Sequence, residues 1–473
     1  MTAHELCFLS ISQLAEQIKK QVVSPVEVTQ AYLDRIQTVD AKLNSYITVT
    51  AERALQEAKA AETQIRAHTY LGPLHGIPLA HKDLIATKGI KTTCASKVLK
   101  DYVPDYDATV IERLRAAGAV LLGKLNMNEF ATIVPSPYFG RVNNPWHVGH
   151  NPGGSSSGSG AAVVAGLCAG SLGTDTGGSI RIPAAFCGSV GLKATHGRVS
   201  LFGVTPLAWS LDHVGPLTRT VTDAALMLQA LAGYDARDFV SSETPVADYT
   251  AKLTGDLTGL RLGVPARFFP EYTDPEVKRA FEETVNVLAG LGAHVEEVTL
   301  PALEDAWAIA QVLINGEANV WHAPYLQTQA EDYAPEVRKF LERGKPTLAT
   351  DYVKAQQAKA RLRQAMLAVC ARLDALLTPG ELIPPPPHEA RSVVIAGRET
   401  RLLPALISAT CPFNLTGQPA LTVPCGFTAS GLPLALQIIG KPFDEATVLQ
   451  IGHAYEAHTS WHHRRPPVAA GDI

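Results

Sequence analysis

The chain has no apolar run long enough to cross a bilayer, and its opening MTAHELCFLSIS has neither a basic leader nor the apolar core of a secretory signal. A cytoplasmic protein without membrane attachment is expected. It also lacks a basic stripe. Acids and bases are interspersed and sum to a net charge of −4, which argues against a nucleic-acid partner and for a small-molecule ligand. The seven cysteines are odd in number, far apart and mostly in apolar surroundings. They read as buried reduced thiols rather than a disulfide framework.

Several site signatures are missing or incomplete. Gly158-Ser159-Gly160 lacks the third glycine of a dinucleotide fingerprint, and no GK[ST] closes a phosphate loop. Asp175-Thr176-Gly177 looks like half of an aspartic-protease site, but the chain has no second DTG or DSG. Gly154 to Gly158 spells G-x-S-x-G around Ser156, yet an Asn-Pro-Gly loop precedes it where a nucleophile elbow needs a strand. His147 and His150 sit in a loop without a nearby acid or cysteine. They read as surface or structural histidines, and no metal site is expected.

What is present is a large core and an alternation of elements. At 473 residues, 46% of them hydrophobic and 18% charged, the chain is long and apolar enough for a soluble globular protein. Residues 1–65 read as helical, with Ser24, Pro25 and Glu27 forming an N-cap, a first-turn proline and a capping-box acid. Leu74 to Asp83 alternates as a short strand carrying Lys82 at its far end, a helix capped by Thr109 and Glu112 follows, and Ala119 to Leu122 reads as the next strand. Strand and helix in alternation predict an α/β sheet core. Ala236 to Gly255 turns polar, Arg261 to Leu376 is largely helical by pattern, and Leu376 to His388 holds four consecutive prolines, either a linker or a stiff wall beside a pocket. Ala420 to Pro424 and Leu434 to Ile439 return to sheet-like runs. No internal repeat is visible. The expected organisation is one domain over 1–473, with a helical region at 1–65, a core at 66–235, a mostly helical insertion at 236–400 and a return to the core at 401–473.

The densest stretch is Asn151 to Val190, two Gly/Ser-rich turns joined by an Ala/Val helix and a short apolar run. Glycine is placed where backbone must approach something closely or take positive φ. Two such turns suggest a site where serines do chemistry and N–H groups receive a developing negative charge. No histidine stands ready as the base. A lysine can serve if burial lowers its pKa enough to keep it neutral, and Lys82 is the best placed.

GIPLAHKD, GGSSSGSGAA and GTDTGGSIRIPAAFCG, in this order, resemble the signature of the amidase signature family. The resemblance continues through DATVIERLRAAGAVLLGKLNMNEF, GRVSLFGVTPLAWSLDHVGPLTRT and LTVPCGF. It implies the family's α/β fold, a large mixed, twisted β-sheet core covered by helices on both faces. It also implies a Ser-cis-Ser-Lys triad with Ser179 as nucleophile, Ser155 as the bridging serine and Lys82 as base. The backbone N–H groups of Thr176, Gly177, Gly178 and Ser179 would form the oxyanion hole, with Ser156 and Arg181 as supports behind them. No metal or organic cofactor is implied. His81, beside the lysine, faces the other way on a strand and is assigned to packing.

The family includes stand-alone amidases and the A subunit of the tRNA-dependent amidotransferase, which hydrolyses glutamine. The N-terminal third is similar to that amidotransferase component, especially in AHKDLIATKGI and LLGKLNMNEF. Two departures point away from it. The position of an acid that would hold the glutamine amino group is Ile407, and the segment ATIVPSPYFG after Phe130 is short and apolar. Val134, Pro135, Tyr138, Phe139 and Ile407 then suggest an apolar acyl or aryl pocket. The expected activity is a stand-alone hydrolase of small or aromatic amides, with esters or carbamates as further substrates. The alternatives are an inactive scaffold and the glutamine-hydrolysing amidotransferase component. The expected partner is a small-molecule amide, with no nucleic acid and no membrane, and a homodimer is compatible with the resemblance.

Overall fold

A computed structural model describes residues 1–470 except 270 and 396. Eleven strands form one sheet: β1 (Tyr46–Val49), β2 (Pro78–Lys82), β3 (Val120–Leu125), β4 (Gly170–Thr174), β5 (Val190–Lys193), β6 (Val214–Thr218), β7 (Arg261–Pro265), β8 (His294–Val298), β9 (Ala375–Pro379), β12 (Ala420–Phe427) and β13 (Pro433–Gly440), while β10 (Ser392–Ile395) and β11 (Arg398–Arg401) make a separate hairpin. Their spatial order is β1-β3-β2-β4-β6-β5-β12-β13-β9-β7-β8. The sheet is mixed, with β2 parallel to β3 and β4, β7 parallel to β8 and β9, and the remaining neighbours antiparallel. Flanked by helices, it is the α/β core that the alternation predicts.

β2, β3 and β4 are buried at every residue, as interior strands of a covered sheet are. The helix Pro25–Leu43 starts as its residues direct, with Ser24 accepting from the Glu27 N–H and Pro25 in the first turn. The helix Thr109–Ala116 differs from expectation. Its N-cap is Ala108, with no side-chain cap, and Thr109 instead donates its hydroxyl to Asp235. The stretch after residue 236 differs as well, because β7, β8 and β9 lie among its helices and extend the main sheet. The prolines after β9 are packed rather than free: Pro386 accepts a hydrogen bond from Asn151 N (2.8 Å), and Pro385 and Pro386 are buried. All seven cysteines are free and buried. Among the described residues no helix is long and apolar enough to cross a membrane.

Candidate active site

Lys82 is the last residue of β2, between β3 and β4 in the sheet interior, and is fully buried. Its Nζ lies 2.8 Å from Ser155 Oγ and 2.8 Å from Thr174 Oγ1, the terminal residue of β4. Burial pushes the Lys82 pKa down to about 7, against the raising influence of Asp175 and Asp212. An amine in that range is substantially neutral at neutral pH and can take a proton. No aspartate or glutamate among the described residues is hydrogen-bonded to it, which is why burial prevails.

The first glycine turn delivers Ser155. The Gly154–Ser155 peptide is cis, and Ser155 O accepts from Asn128 N at 3.1 Å. Ser156 fastens this turn to β4. Its hydroxyl donates to Thr174 O (3.1 Å) and accepts from Thr174 N (3.2 Å). The helix Ser157–Val164 begins at once, and it needs Gly158. A Cβ there would lie 2.4 Å from Ser45 O and 2.5 Å from Asn126 O. Ser156 N also donates to Ser179 O (3.3 Å), which draws the two turns together. Lys82 and Ser155 are buried, whereas Ser179 is half-buried.

The second turn, Asp175 to Ile180, is built around a carboxylate. Asp175 Oδ2 accepts from Ile180 N (3.1 Å) and from Arg181 Nε (3.0 Å), and Oδ1 accepts from Arg181 Nη2 (2.9 Å) and Asn414 Nδ2 (2.8 Å). Burial alone would raise the Asp175 pKa, but the Arg181 guanidinium holds it well below the usual carboxylate range. Arg181 also donates Nη1 to Thr410 O (2.8 Å) and Gln437 Oε1 (2.7 Å), and Nη2 to Asn414 Oδ1 (2.6 Å). All five of its N–H groups are therefore spent. Around this frame, the N–H groups of Thr176, Gly177, Gly178 and Ser179 donate to no group among the described residues. Such a run of unspent donors beside a half-exposed serine can receive an oxyanion.

Sequence reasoning does not single out two supports of this turn. Thr176 donates its hydroxyl to Asp212 Oδ1 (2.5 Å), and Asp212 Oδ2 accepts the N–H groups of Leu207 (2.9 Å) and Ala208 (3.0 Å). Burial raises the Asp212 pKa to about 6, with these donors opposing. Thr410 donates to Gly177 O at 2.6 Å. Asp212 lies within the segment GRVSLFGVTPLAWSLDHVGPLTRT, so a signal is present, but its partner can be read only from the fold.

Pro135 lines a cavity of about 260 Å³ together with Asn128, Gly153, Ser157, His388 and Leu406, directly beside the Ser155 turn. Val134, Tyr138, Phe139 and Ile407 do not line it. Tyr138 is exposed and set edge-on to Phe139 (centroids 4.8 Å apart), the Phe139 carbonyl accepts from Asn44 Nδ2 (2.8 Å), and Ile407 is buried with its carbonyl accepting from Thr410 N (3.2 Å). The cavity lining is nonetheless largely apolar, with Ile133, Leu402, Leu403 and Leu406, and it also carries Arg391 and Arg141, the latter paired with Glu389 at 2.9 Å. His81 is buried, with its pKa pushed down to about 3 by burial and by Lys124, and its Nδ1 has no partner among the described residues. His147 and His150 meet through their Nδ1 atoms at 2.9 Å, and no cluster of three or more possible metal ligands occurs among the described residues.

The family model described as Amidase matches residues 27–449. The A subunit of glutamyl-tRNA(Gln) amidotransferase from Geobacter sp. (strain M21) is 43% identical, over 98% of this chain and 100% of its own length. A crystal structure of an amidase is 34% identical with a TM-score of 0.87, covering 95% of this chain and 100% of its own. The Thermotoga maritima counterpart of the glutamyl-tRNA(Gln) amidotransferase relative is 32% identical with a TM-score of 0.77, covering 97% and 95%. These likenesses correct two expectations. A stand-alone hydrolase of small or aromatic amides gives way to the amidotransferase alternative, because end-to-end identity to the amidotransferase relatives outweighs one substitution at Ile407 and one shortened loop. The expectation of no nucleic-acid partner falls too, since those relatives are named for a tRNA. A net charge averages over the whole surface and does not report what an assembled complex binds.

Proposed function

The chain belongs to the amidase family, and on that premise we propose that it is the glutamine-hydrolysing component of an amidotransferase acting on glutamyl-tRNA(Gln). The observation that carries this reading is the end-to-end identity to the Geobacter amidotransferase relative. The site supports it with a serine, a bridging serine and a buried amine, and with Arg391 in the lining of the neighbouring cavity as a group suited to the carboxylate of an amino-acid amide donor.

In this reading Ser179 attacks the side-chain carboxamide carbon of glutamine. Its proton passes to Ser155 as Ser155 gives its own to neutral Lys82. The oxyanion forms opposite the N–H groups of Thr176 to Ser179. The relay then reverses, protonates the leaving nitrogen and releases ammonia. Water, activated through the same groups, cleaves the acyl-enzyme to glutamate. The net reaction is glutamine and water to glutamate and ammonia, and the ammonia would serve to amidate the glutamyl group of the tRNA.

The test is to measure glutamate formation from glutamine, and amidation of glutamyl-tRNA, with the chain alone and co-expressed with the other amidotransferase subunits. Glutaminase activity that rises in the assembly, with amidated tRNA as product, is expected. Absence of glutamate from every assembly, in a preparation whose Ser179 still reacts with a fluorophosphonate, overturns the reading.

A further inference from the structure

Beyond the helix Glu445–Ala457 the chain runs Trp461-His462-His463-Arg464-Arg465-Pro466. Four basic residues in succession are held in place by what flanks them. Trp461 Nε1 donates to Tyr455 OH (3.2 Å), Trp461–His463 forms a single helical turn, and Pro466 is buried. A cavity of about 70 Å³ lies between this run and the far ends of the two helices that follow the glycine turns. Val164 closes the helix Ser157–Val164, Gly188 caps the helix Arg181–Cys187, and both residues line the cavity. An eight-residue helix is about 12 Å long, so the cavity is separate from Ser155.

The lining carries charge of one sign. Arg219, His462, His463, Arg464 and Arg465 contribute to it, and no aspartate or glutamate does. The Arg464 guanidinium lies 3.8 Å from the centroid of Phe427 and 5.8 Å from that of Trp146, and the Arg465 guanidinium lies 4.2 Å over Phe8. A ring holds a guanidinium by its face and leaves the N–H edge available. Neither arginine side chain has a hydrogen bond or an ion pair among the described residues. Arg219 is fixed by donating to Val163 O (3.0 Å), Cys168 O (3.0 Å) and Leu9 O. Its Nε and His462 Nδ1 are buried with no hydrogen-bond partner among the described residues. Asp223, a carboxylate that acts on Arg219, is committed to the N–H groups of Ile11 (2.9 Å) and Ser12 (3.0 Å). Burial and the neighbouring His463 push the His462 pKa down to about 4, so that imidazole is neutral at neutral pH and the charge of the cavity rests on the arginines. Like charges gathered around a cavity repel one another, and an anion between them relieves the repulsion.

We propose that this cavity binds one dianionic phosphoryl group, either free phosphate or the terminal phosphate of a small monoester. Arg464 and Arg465 supply charge-assisted hydrogen bonds in the planar fork that matches phosphate oxygens, and Arg219 adds its fixed charge. The volume is about twice a water molecule's share of the liquid, room for a single such group. Arg464 and Arg465 are exposed, so the substituent of a monoester would extend into solvent beside them. The site takes no part in the chemistry at Ser179, and its test is independent of the amidotransferase reading.

The experiment titrates inorganic phosphate into the full chain, purified with whatever subunits accompany it, at constant ionic strength in chloride, and follows binding by calorimetry. Saturable binding at one site is expected. It should weaken about tenfold or more in Arg464→Gln and again in Arg464→Gln/Arg465→Gln, while fluorophosphonate labels Ser179 at the wild-type rate. Ribose 5-phosphate distinguishes the sources: binding tighter than that of inorganic phosphate assigns a monoester, and weaker binding assigns free phosphate. A second measurement needs no substitution. Phosphate should protect Arg464 and Arg465 of the wild type from phenylglyoxal, mapped by peptide mass, and this arm decides if the double variant loses Ser179 labelling. Absence of saturable binding, equal affinity in the wild type and the double variant, or equal phenylglyoxal modification with and without phosphate overturns the proposal. Protection of the two arginines by tRNA but not by inorganic phosphate also overturns it, in favour of a nucleic-acid contact.

Discussion

The hydroxyl of Thr174 stands 2.8 Å from the Nζ of Lys82, so the ends of two adjacent parallel strands, β4 and β2, meet at the amine. That contact and Ser155 Oγ are the two hydrogen-bond partners, among the described residues, of a group otherwise sealed from water. A hydroxyl that accepts from an ammonium favours the charged form and works against the desolvation that keeps Lys82 neutral.

Activity should accordingly rise with pH through the Lys82 pKa. With that pKa lowered to about 7, chiefly by burial, only the amine above it can accept the Ser155 proton. The profile of kcat/KM should have an acid limb near neutral pH and a plateau above it. Thr174→Val, which removes the accepting hydroxyl, should move the limb to lower pH. Lys82→Ala should lose the limb together with a factor of about 10² to 10⁴ in rate. A limb persisting in Lys82→Ala is incompatible with the role assigned to it.

Asp212 holds one end of the N–H run through Thr176, and its removal should act on turnover more than on binding. Asp212→Ala frees the Thr176 hydroxyl and strands the N–H groups of Leu207 and Ala208. The loss should be about 1–3 kcal/mol in transition-state stabilisation or stability, the range for an unsatisfied buried partner. Asp212→Asn retains an acceptor and should recover part of kcat. Equal loss in KM and kcat, or full activity in Asp212→Ala, would remove Asp212 from this role.

The legibility of this site divides along a physical line. Lys82 can be named from its place at the end of an apolar strand, whereas Ser155 and Ser179 are named among the serines of their glycine-rich turns by the resemblance of those motifs to the amidase signature. Thr174 and Asp212 cannot, because their significance lies in burial and in partners brought from other strands, such as Asp212 meeting Thr176 across the β4–β6 edge. The sheet core is readable from alternation, while β7, β8 and β9 are hidden among helices whose periodicity dominates that stretch. The substrate escapes a sequence reading that weighs Ile407 as a pocket residue. Ile407 is tied to Thr410 and lies outside the cavity lining, which sets Leu402, Leu403 and Leu406 beside Arg391.

A stability signature should come from Glu456, which is hydrogen-bonded to none of the site residues described above. Both its oxygens accept from Val221 N (3.0 and 3.2 Å) at the start of the helix Val221–Leu231, and burial raises its pKa to about 8. Because the folded pKa lies above the unfolded one, the protonated form favours folding. Its contribution is complete below the unfolded carboxyl range and is lost as pH rises through about 8. Denaturant unfolding should show the wild type losing on the order of 1 kcal/mol more than Glu456→Gln between pH 7 and 9. Parallel pH profiles for the two proteins would contradict the assignment.

The neighbouring glycines of the second turn should respond differently to alanine. Gly178 has φ of +141°, and a Cβ there would stand 2.3 Å from Thr410 Oγ1 and 2.8 Å from Ile182 Cδ1. Thr410 cannot swing away without giving up its hydrogen bond to Gly177 O, so relief of the clash also loosens the turn. Gly177 has ordinary φ and open space where a Cβ would point. Gly178→Ala should therefore displace the unspent N–H groups and lower kcat by about 10² to 10³, the usual cost of losing an oxyanion donor. Gly177→Ala should lose less than about tenfold, a matter of backbone freedom alone. The rate of Ser179 labelling by a fluorophosphonate measures both. Equal rates in the two variants would mean that the turn does not depend on the Gly178–Thr410 contact.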